Sequence, residues 1–421
     1  MVKRILIIGT GCSGLHTLLA FKQSLNSEEY KYVAYERSDV VGGLWNYSED
    51  VGIDSYDGFP VHSAMYKQLK TNSARCTIEL PFTDFYKKDE PTFTTYERFC
   101  QSLNQLADEY DLKNFIEFRH YVKHLVKFEN RFKVEVINTE TKETFEEFFD
   151  YVVVASGRFN VPKWPEPDHD LLKKFEGKYI HSKDFKDPAL YKGKKVLCIG
   201  GSFSGLDISL LLSKNGAEKT ILYCKPTALL VQLCKFKWND SFYYIQDPIT
   251  NVEKNVVTFE SGKAEEFDVI IACTGYKCEF PFLSPDLHPD SKLPFFPHLY
   301  DGIVSINNPQ LMFVGAVAYF LVKMMTYTQG HYVTMLLNSH FESLPTNEEM
   351  ENSLTELYNK AALLRTIDDV TQFQFDYYYY LQDHCGRKCL DNRHLTILQD
   401  VVAAVMSGDD LGNFTINLPE E

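Results

Sequence analysis

The chain has no apolar run long enough to cross a bilayer. Its longest candidate, Gly315 to Met325, is interrupted by Lys323, well short of the ~20 residues a spanning helix needs. No secretory leader is expected from the given start either. Met1-Val2-Lys3-Arg4 leads directly into the apolar run Ile5 to Ile8 and a glycine turn, the pattern of a strand. The far end is polar, Leu418-Pro419-Glu420-Glu421, so no tail anchor is expected and a cytoplasmic protein is. Positive charge is in deficit: 43 Lys and Arg stand against 58 Asp and Glu, a formal net charge of -15. That argues against nucleic acid or an anionic membrane as the main partner. Any bound phosphate must then be held by local features such as helix N-termini and single basic residues. Metal-ligand spacing is lacking too. Ten cysteines are scattered, with Cys385 and Cys389 the one close pair and no histidines placed to complete a zinc site. Unconnected thiols in a reducing compartment are expected.

What is present fits a folded protein of two or three domains: 421 residues, 44% hydrophobic, 24% charged and 14% aromatic. One local pattern occurs twice. The strand Lys3 to Ile8 runs into Gly9-Thr10-Gly11-Cys12-Ser13-Gly14, then a stretch with Leu18, Phe21 and Leu25 at helical spacing. The strand Lys195 to Ile199 runs into Gly200-Gly201-Ser202-Phe203-Ser204-Gly205, then a helical Leu206 to Leu212. Both are strand–turn–helix units that open a doubly wound α/β domain. Between them, Thr94-x-x-Glu97 reads as a capping box for a helix carrying Phe99, Leu103 and Leu106 inward. Phe132-x-Val134-x-Val136 and Phe145 to Phe149 read as an antiparallel meander. Tyr151 to Ala155 is a strand buried on both faces. Pro162, Pro165 and Pro167 mark a crossing between domains. Beyond a strand at Val269 to Cys273 lie another at Leu311 to Val314 and helical segments at about 327–342 and 347–364. The economical reading is a smaller domain, about 168–282, inserted into a larger one formed by 1–167 and 283–421.

In a Gly-x-Gly-x-x-Gly turn one glycine makes the tight turn and another admits a pyrophosphate to the backbone. The third lets the helix pack against the strand. The helix N-terminus then presents free N–H groups to the phosphates. Gly9, Gly11 and Gly14 meet that description, and the next strand, Tyr32 to Tyr35, ends at Glu36. A carboxylate there accepts ribose hydroxyls and repels a 2′-phosphate, which suits FAD or NAD and rejects NADP. Gly42-Gly43-x-Trp45 adds a second glycine turn of the kind a long FAD pyrophosphate uses. In the later turn Ser202 replaces the middle glycine and Ser204 adds another hydroxyl. The strand after it, Thr220 to Cys224, ends in Lys225 with no acid. A cation there fits the 2′-phosphate of NADPH.

Further strings lie around these turns. Phe175-x-Gly177-x-x-x-His181-x-x-x-Phe185-Lys186 stands between them, and Tyr66-x-x-Leu69-x-Thr71-Asn72 precedes it. Thr274-Gly275-Tyr276 closes the middle unit, with Leu299-Tyr300, Pro309 and Phe313-x-Gly315 beyond it. In this order, across almost the whole chain, they resemble the flavin-containing monooxygenases. The resemblance implies two facing dinucleotide sites, for FAD and NADPH. It implies that NADPH reduces FAD, oxygen adds to the reduced flavin, and bound NADP⁺ shelters the hydroperoxide until a soft nucleophile takes one oxygen atom. Flavin chemistry then carries the reaction while the protein positions it and excludes water. Asn72 matches the family asparagine that hydrogen-bonds beside flavin and NADP⁺, and Gln329 matches a glutamine near the flavin ring. His181 is expected to tie the interdomain linker rather than act as a base. Two departures stand out. Ala74 and Arg75 follow Asn72 where relatives commonly carry a proline two residues on, and Ser156-Gly157 replaces a usual Thr-Gly. Without a C-terminal hydrophobic segment the chain is similar to the shorter, soluble branch, which includes insect alkaloid N-oxygenases. The expected partners are a small nucleophile and molecular oxygen, with room for a homo-oligomer.

Three other readings compete. A Baeyer–Villiger monooxygenase uses the same cofactors but typically has Trp where this chain has Phe185. A flavin disulfide reductase needs a redox pair near the flavin, and Cys12 and Cys76 have no such partner in sequence. A non-catalytic NADP-binding sensor requires neither turn to support turnover.

Overall fold

The computed structural model describes residues 2–87, 89–226, 238–290, 296–317, 321–364, 366–387 and 396–397. Cys389 and the polar run from Leu418 to Glu421 lie outside them.

Two five-stranded sheets, each parallel throughout, organise the chain. The first has the order β18-β7-β1-β2-β3, built from β1 (Lys3–Ile8), β2 (Tyr30–Glu36), β3 (Ile116–Phe118), β7 (Tyr151–Val154) and β18 (Leu311–Phe313). The second has the order β12-β11-β10-β16-β9, from β9 (Lys178–His181), β10 (Lys195–Ile199), β11 (Lys219–Tyr223), β12 (Phe242–Ile245) and β16 (Val269–Ala272). Every strand of the second sheet falls in sequence between β7 and β18 of the first. The fold is thus α/β with one dinucleotide-type unit inserted in another. The continuous apolar runs of β7, β10 and β16 explain their central places, since a strand covered on both faces has no polar side.

Antiparallel pieces fill the remainder. The expected meander is β4 (His120–Phe128), β5 (Arg131–Asn138) and β6 (Thr144–Phe149). A smaller one is β13 (Ile249–Glu253), β14 (Val256–Phe259) and β15 (Ala264–Glu266). Where the chain passes between the halves, β8 (Val161–Pro162) pairs with β17 (Tyr276–Lys277).

The helices are α1 (Cys12–Ser24), α2 (Arg75–Ile78), α3 (Tyr96–Glu109), α4 (His169–Leu172), α5 (Phe203–Lys214), α6 (Val322–Asn338), α7 (Asn347–Ala361) and α8 (Ile367–Cys385). Helix α6 begins at Val322 rather than near 327. Nearly all of it is buried, so it lacks the polar face that periodicity detects. The cap of α3 also differs from expectation. Thr95, not Thr94, is the N-cap and accepts from Arg98 N. Thr94 is held elsewhere, its carbonyl accepting from Thr71 N at 2.8 Å and its N–H donating to Thr71 Oγ1 at 3.2 Å.

One core lies between the first sheet and helices α1, α3, α6 and α8. A second joins that sheet's other face to the meander, and two more cover the faces of the second sheet. No helix among the described residues is long and apolar enough to cross a membrane.

Candidate active site

The first glycine turn leaves β1 through Gly9, whose φ of +93° lies in the left-handed region that glycine tolerates. Gly11 is the N-cap of α1, with no side-chain cap and no acid in the first helical turn, so the helix end faces outward unneutralised. A Cβ on Gly14 would sit 1.9 Å from the Gly9 carbonyl oxygen. Helix and turn touch there with no room for a side chain. The later turn repeats this contact: a Cβ on Gly205 would come 1.7 Å from the Gly200 carbonyl oxygen. Gly200 itself has φ +120°, and a Cβ there would meet the Cys273 carbonyl oxygen at 2.4 Å.

Glu36 ends β2 and is buried. One carboxylate oxygen accepts from Thr10 N at 2.9 Å and Thr10 Oγ1 at 2.8 Å. The other accepts from Ser38 N at 3.0 Å and Ser38 Oγ at 3.1 Å. The acid therefore braces the glycine turn from below, a role for Thr10 and Ser38 that the sequence reading missed. Gly42 N donates to the Thr10 carbonyl at 3.1 Å, and a Cβ on Gly43 would lie 2.8 Å from Gly11 Cα. The two glycine turns are thus one packed unit. Trp45 closes it, stacked on Phe99 with ring centroids 3.9 Å apart.

Ser202 is the N-cap of α5, and its hydroxyl makes no cap hydrogen bond. Ser204 follows in the first turn, and Lys225, just past β11, is exposed.

Gly9, Gly11, Glu36, Gly43, Trp45, Asn72, Gly200, Ser202, Ser204 and Lys225 all line one cleft of about 2640 Å³. Single ligand pockets usually measure about 300–1,000 Å³, so this one has room for more than one large molecule. Gly14 and Gly205 stand behind the wall as packing contacts. Gln329, which the family resemblance puts near the flavin ring, lies just behind the wall of this cleft. It is fully buried; its Oε1 accepts from Gly315 N at 2.8 Å and its Nε2 donates to Tyr377 Oη at 3.1 Å. What reaches the cleft is Gly315, whose Cβ would collide with Ser13 Oγ at 2.1 Å.

Asn72 projects from a clamped loop. Its neighbour Thr71 is tied to Thr94 as described, and Thr71 Oγ1 donates to the Ser73 carbonyl at 2.8 Å. The Asn72 side chain is exposed in the cleft wall. Ala74, where relatives commonly have proline, keeps a φ of −66°, the value a proline ring imposes. The loop therefore turns as it would with that proline.

Contacts between the halves gather beside this loop. Tyr66 Oη donates to the Asp207 carboxylate of α5. Lys67 N donates to the Lys186 carbonyl at 2.8 Å, and Lys186 Nζ donates to the Ser63 carbonyl at 2.7 Å. Burial pulls the Lys186 ammonium down to about 8. Asp207 carried no signal in sequence because an acid within a helix reads as a surface residue. His181 accepts from Lys183 N at Nδ1 and binds the Gly275 carbonyl through Nε2 at 3.0 Å, as a neutral ring whose burial lowers its pKa to about 4. It ties the crossing, as expected. Cys12 is a free thiol that burial pushes up to about 11, unsuited to redox exchange.

A parallel α/β pair with both glycine turns opening on one cleft defines a two-dinucleotide oxidoreductase architecture. The chain belongs to the flavin-binding monooxygenase-like family, whose model matches residues 2–235 and 241–397. It is therefore a monooxygenase, and the family's cofactor is a flavin. The trimethylamine monooxygenase of Pelagibacter ubique is 30% identical over 380 residues, covering 89% of this chain and 84% of that protein. The senecionine N-oxygenase of Tyria jacobaeae is 31% identical over 353 residues, covering 82% and 74% respectively. Among solved structures, Tmm from Pelagibacter sp. strain HTCC7211 superposes with a TM-score of 0.85 at 27% identity, covering 94% of this chain and 90% of that one.

Proposed function

We propose that this chain is an FAD- and NADPH-dependent monooxygenase that places one oxygen atom on the nitrogen or sulfur of a small soft nucleophile, such as a tertiary amine. The observation that carries this reading is the single cleft lined by both glycine turns and by Asn72. The first turn fits FAD: its helix end is uncapped, its floor is backbone, and Glu36 stands where a ribose would lie. The second fits NADPH: Ser202 and Ser204 offer hydroxyls to phosphate, and Lys225 offers a cation to the 2′-phosphate. FAD is assigned to residues 1–167 and 283–421, and NADPH to 168–282. When bound, the flavin supplies the oxygen-activating chemistry. Asn72, with donor and acceptor on one non-titrating amide, orients groups at the meeting of the two cofactors. Gln329 positions Gly315 at the wall, and the Trp45–Phe99 stack excludes water from the same end. Nitrogen is favoured because one relative is named for oxygenation at nitrogen, senecionine N-oxygenase, and another for a tertiary amine, trimethylamine monooxygenase.

Oxygen uptake with NADPH across a panel of tertiary amines, thioethers and ketones tests the reading. Amines or thioethers should gain one oxygen. Ester formation from ketones alone, or flavin-loaded protein with no NADPH oxidation, would overturn it.

A further inference from the structure

Lys323 stands in the first turn of α6 and is 3% exposed. Its Nζ donates to Ser102 Oγ at 2.6 Å and to Tyr86 Oη at 3.4 Å. It also lies 4.6 Å from the centroid of the Phe99 ring and 5.0 Å from that of Tyr86. Among the described residues, no carboxylate is paired with the amine in this box of two hydroxyls and two rings. The titratable groups that face it are Cys12 and His16 from α1, Glu79 and Tyr86 from the segment after α2, and Arg98 from α3. Cys12 is a neutral thiol, and burial pulls His16 down to about 3, so it is neutral too. Glu79 accepts from Thr83 Oγ1 and from Tyr86 N. Arg98 is paired with Glu90 at 2.9 Å.

The position matters as much as the missing partner. The Phe99 ring beneath Nζ also stacks on Trp45. Cys12 Sγ is 3.6 Å from Thr326 Oγ1, one turn along α6 from Lys323. Cys12, Trp45, Phe99 and Val322 all line the cleft. The amine is therefore one side chain behind the wall at the uncapped N-terminus of α1. An ammonium buried without an acid is disfavoured, and charge acts strongly across a low-dielectric wall.

We propose that Lys323 is an electrostatic positioning residue for FAD, a buried ammonium whose counter-charge is the cofactor's pyrophosphate at the first glycine turn. The proposal rests on the assignment of FAD to that turn. Burial lowers the Lys323 amine to about 8 in the protein alone, and a neighbouring dianion raises it. Two consequences follow by linkage. FAD binding takes up a proton at a pH between the two values. FAD affinity is level below about pH 8 and falls as pH rises above it.

The test is calorimetric titration of apoprotein with FAD at about pH 8.5, in two buffers of different ionisation enthalpy, which reads proton uptake directly. Wild type should take up a large part of one proton per FAD. Lys323→Arg, whose guanidinium does not titrate in this range, should bind FAD with no uptake and no fall in affinity above pH 8. Lys323→Met should bind roughly ten-fold or more weakly at neutral pH, also without uptake. FAD binding to wild type with no net uptake overturns the proposal even if Lys323→Met fails to fold. Uptake that persists in Lys323→Arg assigns the proton to another group and overturns it as well. An apoprotein that binds no FAD at all overturns the cofactor assignment, and this proposal with it.

Discussion

The phenol of Tyr66 donates to the carboxylate of Asp207, joining the loop that leads to Asn72 with the helix that follows the second glycine turn. Burial pushes Asp207 up from 3.8 to about 6, while the Tyr66 hydrogen bond and the charges of Lys214 and Lys70 pull the other way. A carboxyl raised in the folded state favours folding when protonated. Its cost is absent below 3.8 and complete above about 6. The melting temperature of Asp207→Asn relative to wild type should therefore rise as pH climbs through that window. Tyr66→Phe, which removes a stabiliser of the charged form, should shift the opposite way at neutral pH. A difference between Asp207→Asn and wild type that stays flat from acid to neutral pH would contradict the burial argument.

Gly11 and Gly14 should fail for different reasons. A Cβ on Gly11 meets nothing closer than Gly43 Cα at 3.5 Å, ordinary contact, whereas one on Gly14 strikes the Gly9 carbonyl at 1.9 Å. Gly11→Val is expected to yield folded but colourless protein, since the side chain occupies the pyrophosphate's approach. Gly14→Val should lose the fold itself. Absorbance near the flavin band together with circular dichroism separates the two, and normal flavin content in a folded Gly11→Val protein would move the site.

Lys225 is exposed at the cleft, so its contact with a 2′-phosphate is partly screened. Lys225→Ala should lower the preference for NADPH over NADH by about ten-fold, the low end for a charge-assisted contact. Ratios of kcat/KM for the two coenzymes measure it directly. An unchanged ratio would place the phosphate with Ser202 and Ser204 alone.

Replacing Asn72 should damage oxygen transfer more than cofactor binding. Asn72→Ala is expected to keep its FAD and to lose product by roughly a hundred-fold, as when a single donor at a reacting centre is removed. NADPH oxidation can continue, with hydrogen peroxide released in place of product. Peroxide and product measured against NADPH consumed give the coupling ratio. Full product yield with no added peroxide would reduce Asn72 to a loop residue.

The glycine turns were legible because strand, glycine spacing and helix are all local in sequence. Glu36 was visible as a strand end, yet its four hydrogen bonds to Thr10 and Ser38 were not, since an acid's partners depend on how the turn folds back. The contacts of Gln329 with Gly315 and Tyr377 have no signal in the sequence. A helix buried on nearly every side gives no periodic cue to the direction of any one residue. Thr94 shows the limit of a local pattern: it has the acid three residues on that a capping box needs, yet its backbone pairs with Thr71 and the adjacent Thr95 caps the helix instead. Asp207 and Lys323 were beyond reach, because their roles come from burial against segments more than a hundred residues away.

The short pairing of β8 with β17 has a consequence for how such a chain is assembled. Pro162 on the way out of the first half lies opposite Tyr276 on the way back, and Lys163 N donates to the Gly275 carbonyl at 2.9 Å. Departure and return are thus separated by a single inter-strand step of roughly 5 Å. The chain enters and leaves the intervening segment through one doorway, and the neighbouring strands β7 and β18 are already hydrogen-bonded to each other. Excision of the segment and closure with a short link would leave the first sheet's strand order intact. A foreign nucleotide-binding module with equally close ends could be grafted there without re-routing the host.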